Sequence, residues 1–264
     1  MSDEYREPRA VAERVAEEAG RLLLAAFGKV EAREKGPADL VTSADFDSQR
    51  LIADRLARAF PGSTLLAEEE GVTPDPDCPW RWIVDPLDGT MNFAHGNPCW
   101  CVSIGLEYRG DPVVGVIHVP LLNTTYSAAK GLGATANGQA IRVGKAESLS
   151  VALTGACLPS DFAREADRQT AYFRRFSTGT HSLRRLGSSA WSLSLVAAGG
   201  LDICYATSMQ PWDAAAGVVL VREAGGVVTG LAGEPHDLYG RGILATNGRV
   251  HGEAVRALAE AWPA

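Results

Sequence analysis

The chain has 264 residues, 46% hydrophobic and 22% charged, which suits one large unit with a well-filled core. Its 32 acidic side chains outnumber 25 basic ones, for a net charge of −7, and this excludes a general nucleic-acid binder, which carries a basic face. No run of about 18 apolar residues predicts a membrane span, and the polar start Met1-Ser2-Asp3-Glu4-Tyr5-Arg6 lacks an apolar signal segment.

Residues 9–27 read as an amphipathic helix, with Val11, Val15, Ala19, Leu22, Leu23 and Ala26 on one stripe and Gly28 as its stop. Residues 30–33 read as a strand and Glu34-Lys35-Gly36-Pro37 as a mobile loop. A second helix follows Ser43, carries Phe46, Leu51, Ile52, Leu56 and Phe60, and ends at Pro61-Gly62. Strands are predicted near 63–67, 82–85, 99–107, 113–119 and 123–129. Thr73-Pro74-Asp75-Pro76-Asp77-Cys78-Pro79 reads as a surface loop, and Asn137-Gly138 is the strongest hairpin turn signal. After about Lys145 the pattern changes. Strands near 151–156, 201–205, 227–229 and 243–246 alternate with helices near 162–176, 189–198, 213–223 and 250–261, which suggests a second α/β layer.

The five cysteines, Cys78, Cys99, Cys101, Cys157 and Cys204, show no framework spacing and read as reduced thiols in a cytosol. His95, His118, His181, His236 and His251 show no ligand spacing.

The most informative stretch is Trp82-Ile83-Val84-Asp85-Pro86-Leu87-Asp88-Gly89-Thr90-Met91-Asn92-Phe93. An apolar strand, ended by Pro86, delivers Asp85 and Asp88 to its C-terminal rim, where open α/β sheets place ligands. The turn exposes the Leu87 carbonyl, Gly89 lets backbone approach closely, and Thr90 brings a hydroxyl and an amide to a helix start that favours anions. This pattern can hold a divalent cation beside a phosphate. A bound cation also answers how a net-negative protein attracts an anion.

Residues 85–93 resemble a signature of the inositol monophosphatase family. Pro211-Trp212-Asp213-Ala214-Ala215-Ala216-Gly217, Leu65-Leu66-Ala67-Glu68-Glu69 and Asp39-Leu40-Val41-Thr42-Ser43-Ala44-Asp45 are similar to its other elements, in the same order and spacing. The resemblance implies a layered α/β/α/β/α sandwich of the inositol monophosphatase and fructose-bisphosphatase type. An N-terminal α+β subdomain (1–145) with most metal ligands and a C-terminal α/β subdomain (146–264) would form one compact unit.

It implies two or three Mg²⁺ ions. Glu68, Asp85 and the Leu87 carbonyl would hold the first, and Asp85, Asp88 and Asp213 the second. Thr90 and Asp45 would orient and deprotonate the attacking water, and Glu69 is open between a partner of the site and the surface. Lys35, Asp39 and Thr42 would neighbour a weakly held third cation, although the loop is one residue shorter than the family pattern. Read as bare residues, Glu68-Glu69-Glu70 is a solvated run, Asp213 a helix cap, and Asp39 and Thr42 turn residues. Gly89 and Thr90 would hold the phosphoryl group. Gly187, Ser188 and Ser189, in Arg185-Leu186-Gly187-Ser188-Ser189-Ala190, would meet the substrate, with Ser188 equally readable as a helix cap.

One departure touches the substrate. Inositol-preferring members often carry a Glu seven residues before the equivalent of Asp213, and here that position is Ala206. The implied activity is a cytoplasmic, lithium-sensitive, homodimeric Mg²⁺-dependent phosphomonoesterase using a metal-activated water on a small polyol phosphate such as inositol 1-phosphate. Histidinol phosphate or another sugar or nucleotide phosphate is the enzymatic alternative. A regulatory partner-binding protein retaining the fold is the non-enzymatic one.

Overall fold

The computed structural model describes residues 3–36, 39–69, 75–159 and 162–263. Helix α1 (Arg6–Ala26) starts three residues before the predicted position, because Pro8 sits in the first turn, where no intrahelical N–H is needed. The segment read as a mobile loop instead contributes to a two-stranded antiparallel ribbon, β1 (Ala32–Gly36) with β2 (Asp39–Thr42). Helix α2 (Ser43–Ala59) follows directly, and Phe46 on it is exposed.

Seven strands make the larger sheet, in the order β3 (Thr64–Ala67), β4 (Trp80–Asp88), β5 (Cys101–Tyr108), β6 (Asp111–Val119), β7 (Thr124–Ala129), β8 (Gly133–Ala136) and β9 (Gln139–Ala140). The five-residue helix α3 (Thr90–Ala94) follows β4. The β3–β4 pair is parallel and the other pairs antiparallel. Asn137 and Gly138, both at positive φ, form the two-residue turn between β8 and β9.

Residue Pro86 does not end β4 as the sequence reading has it. The strand runs on to Asp88, and its register against β5 slips between Asp85 and Asp88. A bulge is one of the few sheet positions that accepts proline. Ser48 of α2 pins it by donating to the Pro86 carbonyl at 2.9 Å.

The smaller sheet contains β10 (Leu153–Cys157), β11 (Ser182–Arg184), β12 (Ile203–Ala206), β13 (Val227–Thr229) and β14 (Ile243–Thr246), ordered β11-β10-β12-β14-β13. Its helices are α4 (Ala166–Gly179), α5 (Ser189–Ala197), α6 (Pro211–Glu223) and α7 (His251–Ala261). Strand β11 is missed by the sequence reading, being short and half-exposed. The predicted 162–176 helix begins instead as a 3-10 turn and runs on to Gly179.

Five layers result. Helices α1 and α2 cover one face of the large sheet, α5 and α6 fill the space between the sheets, and α4 and α7 cover the far face of the small one. Amphipathic α1 and α2 bury one stripe each, whereas α6 runs Ala214-Ala215-Ala216-Gly217-Val218-Val219 and is buried nearly all round. Its small residues let it lie close on β5 and β6. A Cβ at Gly105 would stand 2.7 Å from the Ala215 Cβ, and one at Gly115 would fall on the Ala216 carbonyl. That close approach sets the height of Asp213 at the first turn of α6 above the end of β4.

Gly115→Ala is expected to lower the unfolding free energy by about 1–3 kcal/mol, since the obstacle is backbone that cannot rotate away. Gly62→Ala, whose Cβ meets nothing within 4 Å, is the control and stays within about 1 kcal/mol of the parent. Urea denaturation of both variants checks this.

Candidate active site

Three carboxylates meet where the two sheets face each other. Oxygens of Asp85, Asp88 and Asp213 lie within 4.8 Å of one another. They line a cavity of about 260 Å³ with Glu68, Leu87, Gly89, Thr90, Gly187 and Ser189. A roomier cavity of about 730 Å³ between α1 and the β7–β8 edge holds none of these groups.

Each of the three aspartates accepts at least one backbone amide, and Asp88 accepts all its amides from another element. Asp85, at the end of β4, accepts the Leu87 amide at 2.9 Å across the bulge. Asp88 accepts the Ser188 hydroxyl at 2.5 Å, the Ser189 amide at 3.1 Å and the Ala190 amide at 2.8 Å. A β4 side chain thus caps α5, and the Ser188 hydroxyl is committed to Asp88 rather than to the α5 amides. Asp213 accepts the Gln210 amide at 3.2 Å in a capping box while its carboxylate joins the cluster, so the cap reading and the site reading both hold. Glu68 continues the β3 ladder and lines the cavity. Glu69 is buried, with its backbone bracketed by both ends of the Gln49 amide at 3.0 Å.

Thr90 and Asp45 form a second group on the same wall. The Thr90 hydroxyl lies 2.9 Å from Asp45 Oδ1 and 3.0 Å from the Leu87 carbonyl, with one proton to offer to either. The other oxygen of Asp45 accepts the Thr42 amide at 2.8 Å and the Thr42 hydroxyl at 2.6 Å, closing a capping box on α2. Thr42 is therefore buried in a helix cap. The side chains of Lys35 and Asp39, its companions in the expected third-cation loop, lie outside the described residues, as does Glu70.

Burial raises the pKa of all four aspartates. For Asp85 it acts first, joined by the charges of Glu68, Asp88 and Asp213, and the carboxyl is pushed well above the ordinary range. For Asp88 the Ser188, Ser189 and Ala190 donors oppose it. Asp213 is pushed up to about 7 by burial and by the Asp88 charge. Asp45 is raised by burial and drawn back by Thr42 and Thr90. Crowded carboxylates must hold protons or cations. The donor set, hard oxygens with a carbonyl beside them, fits a hard divalent ion such as Mg²⁺.

Sequence reading missed several residues here. Leu40, Cys157, Leu158, Pro159 and Gln210 line the cavity, the middle three from the end of β10 and beyond it, and Ser208, which the sequence reading weighed in place of the absent Glu, lines it too. Ser48 and Gln49 carried a signal. With Asp45 they occupy positions i, i+3 and i+4, one helix face, and all three are buried polar groups.

A profile of the inositol monophosphatase family matches residues 4–263. An inositol-1-monophosphatase from Synechocystis sp. is 42% identical over 91% of this chain and 85% of its own. A fructose-1,6-bisphosphatase/inositol-1-monophosphatase from Thermotoga maritima is 37% identical over 91% of each chain. The crystal structure of the extragenic suppressor protein suhB from Bartonella henselae superposes with a TM-score of 0.89, at 35% identity, over 94% of this chain and 97% of that one.

The pH dependence of stability follows from Asp213. Its carboxyl titrates at about 7 in the folded chain against 3.8 as a free group. The native state therefore binds the proton more tightly, and this contribution to stability is full below pH 3.8 and lost as pH rises through about 7. Without metal, the parent is expected to lose melting temperature between pH 5 and 8, and Asp213→Asn to lose less. Added Mg²⁺ is expected to raise the parent's melting temperature at pH 8. Thermal scans in chelator and in Mg²⁺ read this directly; parallel profiles for the two proteins would contradict it.

Proposed function

The chain belongs to the inositol monophosphatase family of phosphoric monoester hydrolases, and on that premise we propose that it is a Mg²⁺-dependent phosphomonoesterase acting on a small polyol phosphate such as inositol 1-phosphate. The observation that carries this reading is the convergence of Asp85, Asp88 and Asp213 within 4.8 Å, beside the Thr90–Asp45 pair. Glu68, Asp85, Asp88, Asp213 and the Leu87 carbonyl would hold two or three ions. Bound there, divalent cations supply positive charge to phosphoryl oxygens and make water more acidic.

The protein's own groups then have defined tasks. Thr90 Oγ1 donates to Asp45 Oδ1, which leaves the hydroxyl lone pairs to accept a proton of the attacking water and fix its direction. As charge moves to phosphorus, the water's proton passes to Thr90 Oγ1 while the Thr90 proton passes to Asp45, whose burial makes it a better acceptor than an exposed carboxylate. The amides of Gly89 and Thr90 hold phosphoryl oxygens, with Gly89 at φ 97° in a turn that admits no side chain. Gly187 and Ser189 bound the leaving group on the opposite wall. The buried Glu69 would act only through its neighbours, holding the end of β3 against α2. Competition by lithium, a homodimer and a cytoplasmic location belong to the same proposal.

Phosphate release with Mg²⁺ tests it. The panel is inositol 1-phosphate, histidinol phosphate, fructose 1,6-bisphosphate, a 3′-phosphoadenosine nucleotide and glycerol 2-phosphate. Turnover of the polyol monophosphates is expected. Asp88→Asn is expected to abolish it, and Asp45→Asn and Thr90→Ala to lower kcat by about 10²–10⁴ with the fold retained. No release from any substrate, or near-parent activity in Asp88→Asn, would overturn the assignment.

A further inference from the structure

Strand β4 borders two different cavities. Its C-terminal end carries Asp85 and Asp88 into the acidic one. Its N-terminal end, with Trp80 and Trp82, walls a groove of about 390 Å³ between the start of α1 and the end of α2. The two linings have no described residue in common. A groove of this size falls in the range of small-molecule sites.

The groove combines aromatic walls with an acidic rim. Phe60, Trp80, Trp82 and Leu106 form the walls, with Pro8 and Pro61 beside them. Trp82 is buried and closes the floor. Among the described residues of the lining, Glu4 and Glu7 are the only charged groups, and both are exposed where the groove meets solvent. Glu7 makes no hydrogen bond or ion pair with any described residue.

The rings are held by one another. Phe60 lies 5.5 Å from Trp82 between ring centres, Tyr108 lies 4.3 Å from Trp80, and Tyr5 meets Trp80 edge-on at 6.3 Å. The far end of this cluster already carries a cation, because the Arg109 guanidinium lies 5.4 Å from the centre of the Tyr108 ring. Aromatic faces are electron-rich and attract cations. An anion would meet only repulsion from the two glutamates. A neutral apolar molecule would gain from the rings and nothing from the acids. A cation with an apolar shell gains from both.

We propose that this groove is a binding site for a small organic cation, a quaternary or alkylated ammonium whose apolar shell rests on Phe60, Trp80 and Trp82 and whose charge faces Glu7. The site is separate from the acidic cavity and does not depend on the phosphatase reading.

Titration calorimetry of the full chain with choline tests it, in excess Mg²⁺, which competes for the carboxylates of the acidic cavity. The control ligand is 3,3-dimethylbutan-1-ol, which has choline's shape without its charge. Choline is expected to bind saturably and about threefold to thirtyfold more tightly than the alcohol, the range for a cation held against aromatic rings. Glu7→Gln is expected to weaken choline by about twofold to fivefold, as for an exposed charge pair, and to leave the alcohol unchanged. Trp80→Leu is expected to weaken choline by about tenfold. Thermal scans check that both variants are folded, and Glu7→Gln, which alters only an exposed side chain, keeps the test decisive if Trp80→Leu is not. Equal affinity for choline and the alcohol, no saturable choline binding, or choline binding unchanged by both substitutions overturns the proposal and leaves the phosphatase standing.

Discussion

Four carboxylates, Glu68, Asp85, Asp88 and Asp213, have to share one small cavity, and much of the architecture answers that constraint. Buried like charges a few ångströms apart repel strongly and seek protons or cations. The chain meets the problem with helix ends. Asp45 lies in the first turn of α2, Asp213 in the first turn of α6, and Asp88 accepts the first amides of α5. Three helix N-termini, each a source of partial positive charge, therefore converge on one acidic pocket. Each of these three carboxylates holds a helix end, Asp88 and Asp213 while lining the cavity and Asp45 while accepting from Thr90.

Because α6 carries Asp213 on its first turn, the site depends on how closely that helix lies on the large sheet. Glycines at 105 and 115 and the small residues 214–217 set that distance. The bulge at Pro86 does the same for β4, turning Asp85 and Asp88 toward the helices where a regular strand would send alternate residues to opposite faces. Ser48 and Gln49 lock the bulge and the end of β3 against α2. Packing and catalysis are thus coupled through the same few contacts.

Much of this was legible in the sequence where chemistry is encoded locally. The run from Asp85 to Thr90 announces itself by residue type and spacing, and the alternation after residue 145 suggests a second α/β layer, whereas the roles of Asp213 and Glu68 and the five-layer order came from the family resemblance. Legibility fails where the information is non-local. Nothing near Cys157 or Leu158 says that they border the pocket, because their neighbours there come from strands and loops far away in sequence. Ser188 carried two readings, and the donor–acceptor pair that decides between them includes Asp88, one hundred residues earlier. The β1–β2 ribbon was hidden by its charged, exposed sequence, which resembles a loop until the partner strand is known. Pro86 misled because the rule that proline ends a strand has an exception at bulges, and a bulge is a property of two strands.

The central claim is that the clustered acids are tolerated because they bind cations. Proton release on Mg²⁺ binding tests it most directly, measured near pH 6.5 by calorimetry in two buffers of different ionisation enthalpy. Asp213, which titrates at about 7 in the folded chain, must give up its proton when the ion binds. The account predicts proton release that accompanies Mg²⁺ binding and is lost in Asp213→Asn. Mg²⁺ binding without proton release, or equally tight binding after loss of both Asp88 and Asp213, would contradict it.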